Sequence, residues 1–179
     1  MTRIEYKSII FNTNQNVYEP REDSFLLAEN LGAPQGDVLD MGTGSGIQGI
    51  LAAEQAERVV CADINPHAVE LAKENAELNG VSEKMKFAQS DLFENIKGKF
   101  DLIIFNPPYL PKEGETEEWI DHSWNSSEVM KKFLAEYRDF LKPGGKCLLV
   151  NSSISGVELG GEIVARQKLA FEEIFVVSI

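Results

Sequence analysis

The chain is poor in three kinds of residue. Among 179 residues there are two cysteines, two histidines and only 17 Lys and Arg against 29 Asp and Glu, a formal charge of −12. Cys61 and Cys147 lie far apart in the apolar stretches "VVCAD" and "KCLLV", with no metal-ligand spacing around them. Buried free thiols and no bound metal are therefore expected. His67, just inside a helix, reads as a surface residue and His122 as a loop residue, and neither fits a catalytic triad. The shortage of cations argues against nucleic acid as the direct substrate, because phosphate binding needs Lys or Arg to release counterions. A basic or neutral protein partner is easier to accommodate. No apolar run reaches the length of a membrane span, and "MTRIEYKSIIFN" lacks the apolar core of a signal peptide. No membrane association and a cytoplasmic location are the expectations.

What the chain does hold is 43% hydrophobic and 26% charged residues, the balance of a globular protein. Its length suits one domain, residues 1–179, without repeats or linkers. "EPREDSFLLAENLG" predicts a first helix, with acids in its first turn, Leu27 and Leu31 on one face and Gly32 as the stop. "GDVLDMG" predicts a buried strand, and "GIQGILAAEQ" the helix after it. "ERVVCADI" is the next strand. Asn65 and Pro66 then start a helix that Gly80 closes. "KMKFAQSD" and "FDLIIF" read as strands, "SSEVMKKFLAEYRDFL" as an amphipathic helix ended by "KPGG", and "KCLLVNSS" as a strand.

Strands thus alternate with helices from about residue 36 to 150, which implies a parallel sheet with helices on both faces, a Rossmann-like α/β fold. Beyond it, "SGVELGG" has three glycines in seven residues, too many for a long helix. "EIVARQKLAFEEIFVVSI" leaves two readings, a helix then a strand, or a hairpin turning near Lys168 to Ala170. The aromatic and β-branched content of "FEEIFVVSI" favours the hairpin.

The first chemical signature is "VLDMGTGSG". Gly42, Gly44 and Gly46 follow a strand, where they let the backbone turn tightly and approach a ligand. The helix that opens there offers free N–H groups to negative charge. Gly44, Gly46 and Gly49 also satisfy the dinucleotide spacing, so the glycines alone leave the ligand open. The nearby acids separate the readings. Asp40 precedes the loop, where a carboxylate meets a cationic ligand end. Asp63 ends the next strand, where an acid accepts both ribose hydroxyls, and Asp91 follows the third strand, within reach of an adenine amine. A ribose, an adenine and a positively charged amino-acid end fit three carboxylates better than a pyrophosphate does. S-adenosylmethionine has all three. The plainer alternatives are an N-cap role for Asp91 and solvated loop acids for the others.

With "CADINPHAV", "QSDLF" and "FDLIIFNPPY", that loop resembles the NPPY type of class I S-adenosylmethionine-dependent methyltransferase. The opening "VYEPREDSFLLAENL" narrows the likeness. It is similar to the archaeal and eukaryotic branch of the HemK-related protein glutamine methyltransferases, which modify the GGQ glutamine of translation release factors. The resemblance implies a seven-stranded, mostly parallel sheet with a C-terminal antiparallel hairpin, and the shortened "SSISGVELGG" suggests that the last crossover helix is reduced or absent. It also implies that residues 1–35, an N-terminal segment and helix, pack over the cofactor site. Ser24, Asp40, Gly42, Gly44, Gly46, Asp63, Ile64, Asp91, Leu92 and Asn106 would contact the cofactor. Members of the branch commonly need a small zinc-binding activator protein along the third strand, here "KMKFAQSD", which looks like an uncovered edge. Two features depart from the family. "EEWIDHSWNSSEVM" replaces the usual Trp and Gly-Gly segment after NPPY, with Trp119 or Trp124 as substitutes, and "SSISGVELGG" is shortened.

The stretch "NPPY" suits transfer to a planar –NH2. An amide nitrogen is a weak nucleophile, and hydrogen bonds accepted from its N–H groups hold it and favour electron density on it. Asn106 offers a side-chain carbonyl for one N–H and the Pro107 backbone carbonyl could take the other. Pro107 and Pro108 stiffen that corner, and Tyr109 can stack on the acceptor. Asn106, Pro107 and Tyr109 are thus the expected catalytic residues, and with Pro108 they form the expected substrate site. Two other functions remain open at this point: N6-adenine or guanine amino-methylation of nucleic acid, and a non-catalytic cofactor-binding subunit. The charge weighs against the first. The intact Asn106 and Asp40 weigh against the second.

Overall fold

The computed structural model describes residues 2–108 and 126–179. Nine strands and four α-helices follow in the order β1 (Thr2–Tyr6), β2 (Ile9–Thr13), α1 (Glu22–Glu29), β3 (Asp37–Met41), α2 (Ile47–Ala53), β4 (Arg58–Asp63), α3 (Pro66–Leu78), β5 (Met85–Gln89), β6 (Phe100–Phe105), α4 (Ser126–Glu136), β7 (Leu141–Ser152), β8 (Glu162–Lys168) and β9 (Glu173–Ser178) among the described residues. Seven strands form one sheet in the order β5-β4-β3-β6-β7-β9-β8. The five from β5 to β7 run parallel, and β9 lies antiparallel between β7 and β8. The seven-stranded, mostly parallel Rossmann-like sheet and its C-terminal hairpin agree with expectation. The hairpin turn, closed by the Leu169 N–H donating to the Glu172 carbonyl, is near the predicted place.

Alternation along the strands sorts the core into two layers. Val38, Val59, Cys61, Leu102, Ile104, Leu148 and Val150 face the layer that α1, α2 and the N-terminal hairpin cover. Leu39, Met41, Ala62, Ile103, Phe105, Cys147 and Leu149 face Phe133 and Tyr137 on the other side. In that second layer Phe105 packs on Phe133 with ring centroids 4.4 Å apart, and Phe93 stacks on Phe133 at 5.4 Å. The strand end just before Asn106 is thereby clamped from one face by α4.

Several local expectations change. Residues 2–13 form an antiparallel hairpin that the sequence reading left unassigned. Its β2 edge rests on α3, where Asn75 and Asn79 hydrogen-bond the backbone of Asn12 and Ile10. "KPGG" does not simply end a helix. It lies inside β7 as a bulge, where the register jumps from Phe100–Leu141 to Leu102–Lys146. The helix before it is α-helical only to Glu136, and Tyr137–Phe140 tighten into a 3-10 turn. No helix occurs between β7 and β8, so of the two expected outcomes, a reduced or an absent crossover helix, the second holds. Val157 and Leu159 pack over the sheet in its place, held by Asn151 Nδ2 donating to the Val157 carbonyl. Among the described residues, no helix is long and apolar enough to cross a membrane.

Candidate active site

The order of the sheet reverses at β3, whose neighbours are β4 on one side and β6 on the other. A cavity of about 620 Å³ opens where these three strands end, the usual place for a ligand in such sheets. It brings together Ser24, Asp40, Gly42, Gly44, Asp63, Ile64, Asp91, Leu92, Asn106, Pro107 and Pro108 in its wall. Gly46 lies just behind that wall, as the residue that starts α2. Tyr109, Trp119, Trp124, His122 and the segment 112–127 lie outside the described residues, apart from the first residues of α4.

The glycine loop takes its shape from steric demands. Gly46 has φ +86°, and a Cβ there would stand 3.1 Å from Cα and Cβ of Ala72 on α3. Only glycine lets the loop turn while touching that helix. Gly49 plays a packing part, since a Cβ would come within 2.5 Å of the Cys61 sulfur. The Thr43 hydroxyl donates to Asp40 Oδ2 at 2.6 Å, and the Gly49 N–H donates to the same oxygen at 2.9 Å. Burial pushes the Asp40 carboxyl up to about 7, more than these hydrogen bonds lower it. Asp63 accepts from the Gly44 N–H at 3.0 Å and the Asn65 N–H at 2.9 Å, and burial raises its carboxyl too.

Asp91 stands farther out. One of its oxygens lies 3.0 Å from Lys132 Nζ on α4, and that ion pair raises the lysine. It is not an N-cap: Ser90 Oγ accepts from the Asn95 N–H instead, and donates to the Leu92 carbonyl at 2.7 Å. Leu92 itself has φ +48°, a left-handed conformation that costs a non-glycine residue about 1 kcal/mol or more. Strain of this kind, in a cavity wall, fits a backbone shaped for a ligand.

Asn106 follows β6 and turns back to α1. Its Nδ2 donates to Ser24 Oγ and to Asp23 Oδ2, both at 3.2 Å. Its Oδ1 is buried and has no hydrogen-bond partner among the described residues. The amide is therefore fixed by its nitrogen end and left unsatisfied at its oxygen end. A buried, unmatched acceptor costs about 1–3 kcal/mol, so a donor is expected to arrive with a ligand. Ser45 Oγ and Gln48 Oε1, in the same cavity wall, are likewise unmatched among the described residues. Sequence reasoning missed Asp23, Tyr18 and Gln48. Gln48 Nε2 holds the Ser24 carbonyl at 2.7 Å, and the Tyr18 hydroxyl lies 3.2 Å from both Asp23 oxygens. Only their nearness to "EPREDS" and the glycine loop could have suggested them.

S-adenosylmethionine fits these groups. The wall combines carboxylates for its ammonium, hydroxyl and amine donors with glycine backbone that allows close approach and three acceptor atoms awaiting partners. Among the described residues, no three His, Cys, Asp or Glu side chains are grouped to hold a metal ion.

Sheet order, glycine loop and carboxylates on successive strand ends together define a class I methyltransferase fold. The chain belongs to the methyltransferase small domain family, whose model matches residues 9–159. It is 41% identical to a candidate protein N5-glutamine methyltransferase of Methanocaldococcus jannaschii, over 98% of this chain and 97% of that protein. A release factor glutamine methyltransferase of Deinococcus radiodurans is 37% identical over 63% of this chain and 44% of its own length. In fold, the chain is similar to an RNA methyltransferase from Salinibacter ruber solved with S-adenosyl-L-homocysteine. The TM-score is 0.61 at 21% identity, over 91% of this chain and 94% of that one. The chain is thus a methyltransferase, as its motifs imply.

Proposed function

We propose that this chain transfers a methyl group from S-adenosylmethionine to the side-chain amide nitrogen of a glutamine, the GGQ glutamine of a translation release factor. The observation that carries the reading is Asn106, anchored through Nδ2 and holding an unmatched, buried Oδ1 beside the cavity. An acceptor –NH2 supplies the donor that this oxygen lacks. The relatives named for protein glutamine and release factor glutamine methylation support the choice of acceptor.

S-adenosylmethionine supplies an electrophilic methyl group when bound. Asp40 faces its ammonium end, Asp63 its ribose hydroxyls and Asp91 its adenine amine. Ile64, Leu92 and Ser24 complete its walls, and Gly42, Gly44 and Gly46 leave room for it. Asn106 Oδ1 accepts one N–H of the glutamine amide and the Pro107 carbonyl accepts the other. These two bonds fix the nitrogen and favour the positive charge that develops on it during transfer. Pro107 and Pro108 keep the carbonyl in place. Residues 1–179 act as one catalytic domain whose first 35 residues cover the cofactor.

β5 is one edge of the sheet. We assign it as the docking edge of a small zinc-binding activator protein, and the net charge suits a basic release factor surface better than nucleic acid. Two buried free thiols fit a reducing cytoplasm. The deciding assay offers labelled S-adenosylmethionine with release factor, tRNA or DNA, with and without the activator. Label on the release factor glutamine is the expected result. Label on DNA or tRNA and none on release factor refutes the assignment.

A further inference from the structure

Asp23 is a buried carboxylate, 3% exposed, in the first turn of α1, where the helix dipole favours its charge. Its oxygens accept from the Ser24 N–H at 2.6 Å, the Ser24 hydroxyl at 3.2 Å, the Tyr18 hydroxyl at 3.2 Å and Asn106 Nδ2 at 3.2 Å. An unanchored asparagine amide can sit either way round, presenting oxygen or nitrogen to a ligand. A carboxylate accepts only, so it selects the orientation in which Asn106 turns its NH2 toward α1 and leaves Oδ1 for the acceptor. The contact also polarises the amide. A charge-assisted bond at Nδ2 draws electron density to Oδ1 and makes it a stronger acceptor.

We propose that Asp23, held by Tyr18, is the positioning residue that sets the direction and polarity of the Asn106 amide. The inference rests on the reading that Asn106 Oδ1 receives an acceptor N–H. Tyr18 spans the gap between the loop before α1 and Asp23, and its phenol is raised by burial first and by the Asp23 charge next. It therefore stays a protonated donor throughout the working pH range. As the acceptor nitrogen becomes positive, the Asp23 charge stands one amide away and favours that state.

Three variants separate orientation from charge. Asp23→Ala removes both, Asp23→Asn keeps an acceptor for Asn106 Nδ2 but not the charge, and Tyr18→Phe removes one hydroxyl that holds the carboxylate. Methylation of release factor should slow about threefold to tenfold in Tyr18→Phe, as loss of one hydrogen bond does. Asp23→Asn should be slower still and Asp23→Ala the slowest, about a hundredfold. In all three kcat falls by a larger factor than the Kd for S-adenosylmethionine weakens by calorimetry, because Asp23 acts on the transfer through Asn106 although both share the cavity wall with Ser24. Partial recovery from Ala to Asn distinguishes positioning from mere support of the fold. Unchanged kcat in Tyr18→Phe and Asp23→Asn overturns the proposal. So does a cofactor Kd that weakens by the same factor as kcat/KM, which would make Asp23 a cofactor ligand.

A second readout stands apart from the acceptor. The Asn106 side-chain NH2 signals, identified by their loss in Asn106→Ser, should move in the proton–nitrogen NMR spectrum of Tyr18→Phe and Asp23→Asn. Signals that stay in place overturn the positioning role even where no release factor is methylated. Shifted signals without release factor methylation leave the network standing and remove the acceptor instead. Tyr18 is 43% exposed, so Tyr18→Phe carries the test if Asp23→Ala does not fold.

Discussion

Asn75 and Asn12 exchange two hydrogen bonds: the Asn12 N–H donates to Asn75 Oδ1 at 2.8 Å, and Asn75 Nδ2 donates back to the Asn12 carbonyl at 3.0 Å. A side chain on a helix thus does for β2 what a neighbouring strand would do. Asn75 Nδ2 also reaches the Ser45 carbonyl at 2.8 Å, joining the N-terminal hairpin to the glycine loop. Asn75→Ala should destabilise the chain by about 2–4 kcal/mol, since it leaves one buried and two part-buried backbone groups unmatched. Thermal unfolding without ligand measures this, and a loss under about 1 kcal/mol would contradict it.

Asn106→Ala should leave cofactor Kd within a few-fold and lower kcat by about a hundredfold or more, the worth of one preorganised contact to the transition state. Asn106→Asp should be no better, because a carboxylate cannot donate to Asp23 and repels it. Calorimetry with S-adenosylmethionine and single-turnover methylation check the two halves separately.

Asp40 makes the cofactor affinity depend on pH. Its carboxyl titrates at about 7 when no cation faces it, and an ammonium beside it favours the charged form. Binding below pH 7 therefore releases a proton, and affinity should rise between pH 6 and 8. Asp40→Asn should bind less tightly and flatten that rise. The ligand-free chain follows the opposite course. Its folded carboxyl lies above the unfolded value of 3.8, so the contribution of Asp40 to stability is complete below that pH and lost as pH rises toward 7. The difference between wild type and Asp40→Asn in melting temperature, scanned from pH 4 to 8, reports this sign. Asp63, also raised, adds in the same direction.

Gly49→Ala tests the back of the site. The added Cβ would press on the Cys61 sulfur and stand 3.1 Å from Asp40 Oδ2. Overpacking of about 1–3 kcal/mol is expected, together with weaker cofactor binding through the displaced carboxylate. A variant that melts like wild type would mean that the strand and helix have room to part there.

Strands with short periods and glycines with positive φ were legible, because both follow from local sterics. The place of Asn106 at a corner in the cavity wall was legible too, since two prolines after a buried strand mark a corner with few alternatives. The anchoring of its amide was not. Asp23 lies 83 positions earlier, and nothing local in "REDS" says that one acid turns inward while its neighbour stays in water. Asn75 and Asn79 read as ordinary polar positions on a helix for the same reason. "KPGG" matched a helix stop, yet Gly145 is needed where the strands close up, for a Cβ there would lie 2.8 Å from the Phe100 carbonyl. The hairpin at 2–13 had a signal that went unused: Ile4 and Tyr6, then Ile9 and Phe11, alternate about a two-residue turn.

β9 arrives in the chain after both of the strands it separates. A growing polypeptide makes β7 and β8 first; β7 can pair with β6 at once, but its other edge and the whole of β8 wait for β9. The outer rim of β7 must stay unpaired through that interval, with the row of open amides most prone to sticking to other chains. Closure of this edge of the sheet thus waits on β9, far along the chain from the glycine loop where the chemistry sits.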